Sequence, residues 1–310
     1  MNRNEKIVFM GTPQFAATIL EGLIGSYNIV GVVSQPDKEY GRKRILRACE
    51  VKEMALKHEI PVFSPAKIRN DYQDIIDLKP DLIIASAYGQ IIPKELLDVP
   101  KFGCINTHAS LLPKYRGASP VQSAILNGDT ETGMTLMYMN EKMDEGDIIV
   151  QKTLPIDITD TNTTLFRKLS DLGLEMLMET LPDLLSGKIS SIAQDTEQAT
   201  YCHKLGKEIE HISFHDDAKK VYDHIRALLE EPGCYFMLND KKYKIEKAFF
   251  QYEENTEAGI FKGLENDHLR IDTDNGYIEI YQIKPEGKNS MDARAFHNGT
   301  GRHMIGEQVG

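Results

Sequence analysis

Asn106 and His108 stand two residues apart at the end of an apolar run, in the string CINTHASLLPKYRGASP (104–120). On a strand, residues i and i+2 project to the same side, so the amide and the imidazole would enter one space together. An amide donates a hydrogen bond without carrying charge, and an imidazole donates or carries a proton. That pair suits an oxyanion forming at an attacked carbonyl, where removing one donor typically costs about 10²–10³ in rate. The plainer reading is a polar strand end making turn hydrogen bonds. A second cluster is NEKMDEGDIIV (140–150), in which Asp144, Glu145 and Asp147 crowd a turn after the apolar GMTLMYM (133–139). One of these carboxylates can orient His108. Order along the chain does not choose among them, and a solvated acidic turn is the plainer alternative. The third is QPDKEYGRKRILR (35–47), with Lys38, Arg42, Lys43, Arg44 and Arg47. Pro36 and Gly41 work against a continuous helix there, which leaves a cationic loop suited to a phosphate-rich partner or a solvated charge run.

These residues need a scaffold, and the sequence predicts one. KIVFM (6–10) reads as a short strand and GTP as the turn after it, with Thr12 as N-cap and Pro13 at the first helical position. QFAATILEGLIG is a helix and NIVGVVS (28–34) a strand. Helices over 48–59 and 67–78 flank a short PVF strand. DLIIASAY (81–88) is apolar without alternation, as in a strand covered on both faces. GCINTHAS and GMTLMYM add two more strands. Leu165, Leu169, Leu172 and Met176 then recur at helical spacing, with Asn162 or Thr163 placed to cap. The fold class is α/β: a Rossmann-like, doubly wound, mostly parallel sheet. Ligands of such sheets sit beyond the carboxyl ends of the strands, where Asn106, His108, the acidic turn and the cationic loop all fall.

The pattern changes beyond residue 187. A polar stretch leads to the amphipathic DAKKVYDHIRALLEEP and then to strand-rich sequence. CYFML-ND-KKYKIEKAFF reads as a hairpin turning at Asn239-Asp240, and LRIDTDNGYIEIYQI as one turning at Asn275-Gly276. A smaller C-terminal β-barrel, OB-like, is expected. The expected domains are 1–189, a linker over 190–207, and 208–310.

Composition narrows the function. The 310 residues carry a net charge of −11, which argues against indiscriminate nucleic-acid binding. Four scattered cysteines with no C-x-x-C pattern are expected to be reduced structural thiols. Cys202, His203, His211 and His215 match no zinc spacing, and no metal is expected. No apolar stretch approaches the roughly 18 residues of a membrane span. MNRNEKIVFMGTP lacks the features of a signal peptide, so a cytoplasmic location is expected. MGTPQFA (10–16) is not a G-x-G-x-x-G fingerprint and has no acidic ribose partner at a fitting offset, so NAD is not expected, and no Walker loop or convincing serine nucleophile elbow is present.

Taken together, VFMGTPQFA, QPDKEYGRKR, SAYGQIIPKELLD, GCINTHASLLPKYRGASPVQSAILNGDTETGMTLMYM and MDEGDIIVQ resemble the methionyl-tRNA formyltransferases. These are a branch of the 10-formyltetrahydrofolate-dependent formyltransferase superfamily. Weaker likeness runs through YCHKLGKE, IRALLEEPGCYFML and KPEGKNSM. The resemblance implies transfer of a formyl group from 10-formyltetrahydrofolate to the amino group of methionine on initiator tRNA. It implies Asn106, His108 and Asp144 as the catalytic trio. Ser110, Leu111, Leu112 and Pro113 are implied as a folate-binding segment, and Tyr88, Gly89, Gln90 and Ile91 as a wall of the pterin pocket. Arg42, with Lys43 and Arg44 beside it, is implied to meet the tRNA acceptor end, and Phe15 to line the methionine pocket. A monomer using folate as co-substrate, with no metal and no membrane, is the resulting expectation.

Two stretches depart from the family. RACEVK stands where the family continues its basic loop with an SPVK-like stretch, and LLEEPGC where it often has a Trp-containing string. Residues 206–310 also hold 14 basic against 20 acidic side chains, an unusual balance for an RNA-binding domain. The same trio serves sugar-amine N-formyltransferases, which act on nucleotide-linked amino sugars, and formyltetrahydrofolate hydrolases. The 35–47 loop is the feature that separates the tRNA branch from these, and the intact trio argues against a noncatalytic folate- or RNA-binding protein.

Overall fold

A computed structural model describes residues 4–40 and 44–310; Arg42 and Lys43 lie outside the described residues. The chain opens with β1 (Lys6–Gly11), α1 (Gln14–Leu23), β2 (Asn28–Val33), β3 (Lys38–Tyr40), β4 (Ile45–Arg47), α2 (Glu50–Lys57), β5 (Val62–Phe63) and α3 (Gln73–Asp77). It continues with β6 (Leu82–Ser86), α4 (Lys94–Leu97), β7 (Cys104–His108), β8 (Arg116–Gly117), α5 (Pro120–Leu126), β9 (Glu131–Tyr138), β10 (Ile148–Pro155), α6 (Asn162–Leu185) and β11 (Tyr201–Cys202). The remainder is α7 (Ala218–Leu228), β12 (Cys234–Leu238), β13 (Lys241–Tyr252), β14 (Phe261–Glu265), β15 (His268–Thr273), β16 (Gly276–Pro285), β17 (Met291–Asp292) and α8 (Ala293–Gly299).

The chain divides into two compact units. The first is Met1–Pro120 with Glu131–Pro155 and Phe166–Cys202; the second is Val121–Thr130 with Ile156–Leu165 and His203–Gly310. In the first unit, the described strands form a sheet in the order β10-β9-β7-β6-β1-β2-β5. β1, β2, β5, β6 and β7 run parallel; at one edge β9 is antiparallel to β7, and β10, antiparallel to β9, returns to the common direction. Ile7, Val8, Phe9 and Met10 are all fully buried, as a strand sandwiched between two helical layers must be. On one face α1 meets α6: a Cβ on Gly22 would stand 2.2 Å from Leu174 Cδ2.

The chain runs outward from β1 to β2 and β5, then crosses back to place β6 on the other side of β1. That reversal leaves a crevice beyond the carboxyl ends of β1 and β6. Thr12 bridges it, its hydroxyl donating to the Tyr88 carbonyl at 3.0 Å. Thr12 is therefore not the helix cap expected of it; Pro13 occupies the N-cap of α1, with no side-chain cap. The α6 cap also differs from expectation. Thr161 and Thr164 exchange side-chain to backbone bonds at 3.2 and 2.9 Å, as in a capping box. The cationic stretch 35–47 contains the antiparallel pair β3 and β4, not a loop throughout. The helix expected over 67–78 shortens to a 3-10 turn at Ile68–Asn70 and α3.

In the second unit, an antiparallel sheet runs β12-β13-β16-β15-β14, with β17 on β16. Asn239 and Asp240 have φ of 49° and 57°, the left-handed pair of a type I′ hairpin turn. The later hairpin pairs Thr273 with Gly276, so its turn is Asp274-Asn275, one residue earlier than expected. Bulges near Lys247 and Gly263 bend the sheet around Phe236, Tyr243, Ile271 and Ile280.

Residues 306–310 close it. Phe261 N donates to Glu307 O and Val309 N to Gly259 O, while Gly310 and Met237 of β12 exchange two bonds. The last residues thus bridge the two open edges, β14 and β12, with Val309 buried between. Deleting 307–310 removes these four backbone bonds, at about 1 kcal/mol each. We expect a loss on the order of 4 kcal/mol, read as a lower urea midpoint for unfolding of the second unit.

Candidate active site

β7 carries the two residues singled out from the sequence. Its register sets Asn106 beside Ala85 of β6 and Met137 of β9, and His108 opposite Thr135 of β9. Thr107, on the other face, donates to the buried Ser86 hydroxyl at 2.8 Å. This locks the strand's rotation and leaves Asn106 and His108 to share the face toward the crevice. A cleft of about 440 Å3 opens there, a size typical of small-ligand sites, and Asn106, His108 and Asp144 all line it.

His108 is 7% exposed. Its Nε2 lies 2.9 Å from the Tyr115 carbonyl, which can only accept, so Nε2 carries a hydrogen. Nδ1 then faces Asp144 Oδ2 at 3.7 Å, longer than a direct hydrogen bond. Asp144 Oδ2 accepts from the Gly117 N–H at 2.9 Å. Of the three candidate carboxylates, Asp144 is the one beside the imidazole. Glu145 pairs with Arg116 at 3.4 Å and Lys142 at 3.3 Å, and Asp147 is exposed, accepting from Ser191.

Residues 87–92 form another wall. Ala87 and Gly89 have φ of 45° and 86°, so the backbone doubles around Tyr88. The Tyr88 ring is buried in the core, and burial pushes its phenol up to about 12, so it stays neutral. Its carbonyl accepts from Gln35 Nε2 as well as Thr12. Gln90 spends its amide on Ile68 N, Pro65 O and Gln35 Oε1, which makes it a brace for the wall. Ile91 is 57% exposed at the rim.

Phe15 lines the cleft and packs edge-to-face on Phe166 at 6.1 Å. Phe166, Met137 and Met139 are lining residues the sequence reading did not single out. They sit among apolar positions whose spacing marks them only as core. Ser110–Pro113 do not line this cleft. Ser110 O and Leu112 N are both held by the Thr135 hydroxyl, and Gln151 donates to Leu112 O, so the segment anchors the turn after His108.

Arg44 lies on the β3–β4 ribbon with its side chain 80% exposed, 3.5 Å from Glu39. Among the described residues, no three His, Cys, Asp or Glu side chains, those of Cys202, His203, His211 and His215 included, group so as to hold a metal ion. The Cys202 thiol donates to the Tyr115 and Arg116 carbonyls, His211 bonds Gly310 O, and His215 meets Gln308. All four cysteines are thiols outside any disulfide. Among the described residues, no helix is long and apolar enough to cross a membrane.

The site therefore offers an amide, an imidazole with one committed nitrogen, and a partly buried carboxylate at a mostly apolar cleft. Residues 5–181 match the formyl transferase family model, and 204–301 match that of the formyl transferase C-terminal domain. A methionyl-tRNA formyltransferase of Listeria monocytogenes serotype 4a (strain HCC23) is 45% identical over 304 residues, covering 96% of this chain and 97% of its own. One from Geobacillus sp. (strain WCH70) is 46% identical over 313 residues, covering 98% of each.

Among solved structures, an N-formyltransferase from Helicobacter canadensis, in complex with folinic acid and dTDP-3-aminofucose, superposes with a TM-score of 0.68. It is 21% identical and covers 89% of this chain and 98% of its own. HypX from Aquifex aeolicus with tetrahydrofolic acid gives 0.65 at 20% identity, covering 95% and 47%. These last two speak for the fold. With both domain models matched and near-half identity over almost its whole length, the chain belongs to the formyl transferase family and is a one-carbon group-transfer enzyme.

Proposed function

We propose that this enzyme moves the formyl group of 10-formyltetrahydrofolate to the α-amino group of methionyl-initiator tRNA. The observation that carries the chemistry is the convergence of Asn106, His108 and Asp144 on one cleft. The choice of acceptor is supported by full-length relatives at about 45% identity named for it, and by the cationic 35–47 stretch. The cleft fits the donor: its walls are mainly apolar, as a pterin's faces require, with the Asn106 amide and the 87–92 backbone at its edge.

The amine must be neutral to attack, and free α-amino groups titrate near roughly 7.7–8.0, so little work is needed at cellular pH. As the new C–N bond forms, the formyl oxygen gains the negative charge. Asn106 Nδ2 donates to it, and so does His108 Nδ1 when the ring is protonated beside Asp144. Asp144 takes the proton the amine sheds, through a bridging water, and returns it to the folate nitrogen as that C–N bond breaks. No net proton is consumed. Phe15 and Phe166 offer an apolar surface for the methionine side chain, and Arg42, Lys43 and Arg44 supply cations for the acceptor end.

The direct test is incubation with methionyl-initiator tRNA and 10-formyltetrahydrofolate, following N-formylmethionine. Nucleotide-linked amino sugars and water serve as rival acceptors. Faster transfer to a sugar amine, or formate release with no amine present, would redirect the assignment.

The second unit adds a further expectation. Lys242 and Lys244 alternate outward from β13, with Lys242 3.6 Å above the Tyr235 ring and Lys244 in register with Lys284 of β16. Lys241 belongs to the other phase of the strand, at the hairpin end. An overall acidic domain can meet RNA only through such a local face. Replacing Lys242 and Lys244 by Gln should flatten the slope of log affinity for tRNA against log salt, by about 0.7–0.9 for each phosphate no longer neutralised. An unchanged slope would exclude this face from the tRNA interface.

A further inference from the structure

Arg116 is 1% exposed and among the largest fully buried side chains of the chain, between two residues whose backbone holds the dyad of His108 and Asp144. Its Nε and Nη2 donate to Gln194 Oε1 at 3.1 and 2.8 Å. Gln194 Nε2 in turn donates to the Asp144 carbonyl at 2.9 Å and the Gly146 carbonyl at 2.7 Å. All four hydrogen-bonding valences of one side-chain amide are thereby used. The turn it grips has little freedom of its own. Asp144 is left-handed at φ 54°, and a Cβ on Gly146 would lie 1.7 Å from the Tyr138 carbonyl.

The neighbours of Arg116 hold the other side of the dyad. Tyr115 O receives His108 Nε2–H, and Gly117 N–H donates to Asp144 Oδ2. Three consecutive residues thus set both members, and β8 is itself pinned by pairing with β11. Arg116 reaches the turn twice, through its ion pair with Glu145 at 3.4 Å and through Gln194, and of the two Gln194 is the one that bonds the Asp144 carbonyl.

We infer that Gln194 is a positioning residue of the formyl transfer reaction: it fixes the Asp144 turn against Arg116 and so sets the carboxylate's distance to His108. The inference rests on the proposed role of that dyad. Displacement of a reacting group by about 1 Å can cost ~10²-fold in rate. Gln194 does not line the cleft.

The test uses the full chain. Gln194→Leu should lower kcat ~10–100-fold while KM for the formyl donor stays within about twofold. Gln194→Glu keeps an acceptor for Arg116 but cannot donate to either carbonyl, so it should lose as much as Gln194→Leu. Wild-type kcat in Gln194→Glu would overturn the inference, because the two donated bonds would then be immaterial. In an Asp144→Ala background, Gln194→Leu should cost no more than about twofold further, as expected of residues acting through one another. A full independent loss there would also overturn it.

If the unaltered chain transfers formyl to no amine, the functional reading fails instead. Positioning is then read from ¹⁵N-labelled histidine: Gln194→Leu should move the His108 ring-nitrogen resonances, and unchanged resonances overturn the inference.

Discussion

Replacing Asn106 by Ala should cut kcat by about 10²–10³, and replacing His108 by Ala should do the same, with KM for 10-formyltetrahydrofolate changed little. The magnitude is that of one preorganised donor removed from a developing oxyanion. In the proposed mechanism it appears in kcat because the donors meet full negative charge only as the carbonyl is attacked. The geometry makes the two losses separable. Asn106 is fixed by the strand alone, between Ala85 and Met137. His108 is also fixed by its bond to Tyr115 O, so a ring that keeps its place keeps one nitrogen for chemistry. Asn106→Asp sharpens the test. It preserves shape but aims a carboxylate at the same oxygen, so it should fall below Asn106→Ala. Single-turnover formylation of methionyl-tRNA measures all three. An Asn106→Asp enzyme as active as Asn106→Ala would mean the amide does not face the oxyanion.

Gly117→Ala should damage stability and rate together. Gly117 has φ 118°, and a Cβ there would stand 2.2 Å from the Cys202 carbonyl oxygen and 3.3 Å from its carbon. These are backbone atoms of β11 and cannot rotate away. Ala118 N donates to that same carbonyl at 3.0 Å, and Arg116 N to Thr200 O at 2.8 Å, so relief of the clash must break the β8–β11 pairing. Strain of this kind costs on the order of 3 kcal/mol, visible as a lower urea midpoint. The molecules that remain folded should also be slow, because the N–H of Gly117 is what holds Asp144 Oδ2. Wild-type stability in Gly117→Ala would show that the segment relaxes without cost. Wild-type kcat would show that Asp144 is held by other means.

Much of the first unit was legible in the residues. Unbroken apolar runs such as DLIIASAY mark strands buried on both faces, because burial on both sides leaves no place for alternation. The i, i+2 spacing of Asn106 and His108 put both on one face as soon as Cys104–His108 was a strand. The helix caps were not legible, since Thr12 and Thr161 are equally good cap residues in isolation. A distant carbonyl, that of Tyr88, claims Thr12. The β3–β4 ribbon was hidden by charge, because its pairing draws on backbone groups that composition does not report.

What the sequence determined by itself is a candidate set and its sheet: an amide and an imidazole on one strand face, near acids and cations at the carboxyl edge. Local periodicity encodes these facts, and periodicity is read within a few residues. Only the tertiary structure shows which acid lies beside His108, that the Thr135 hydroxyl holds Ser110 O, and that Gln194 reaches back fifty residues to the Asp144 carbonyl. Each of those is a meeting of groups far apart in the chain, and such meetings follow from how layers pack, which no local spacing specifies.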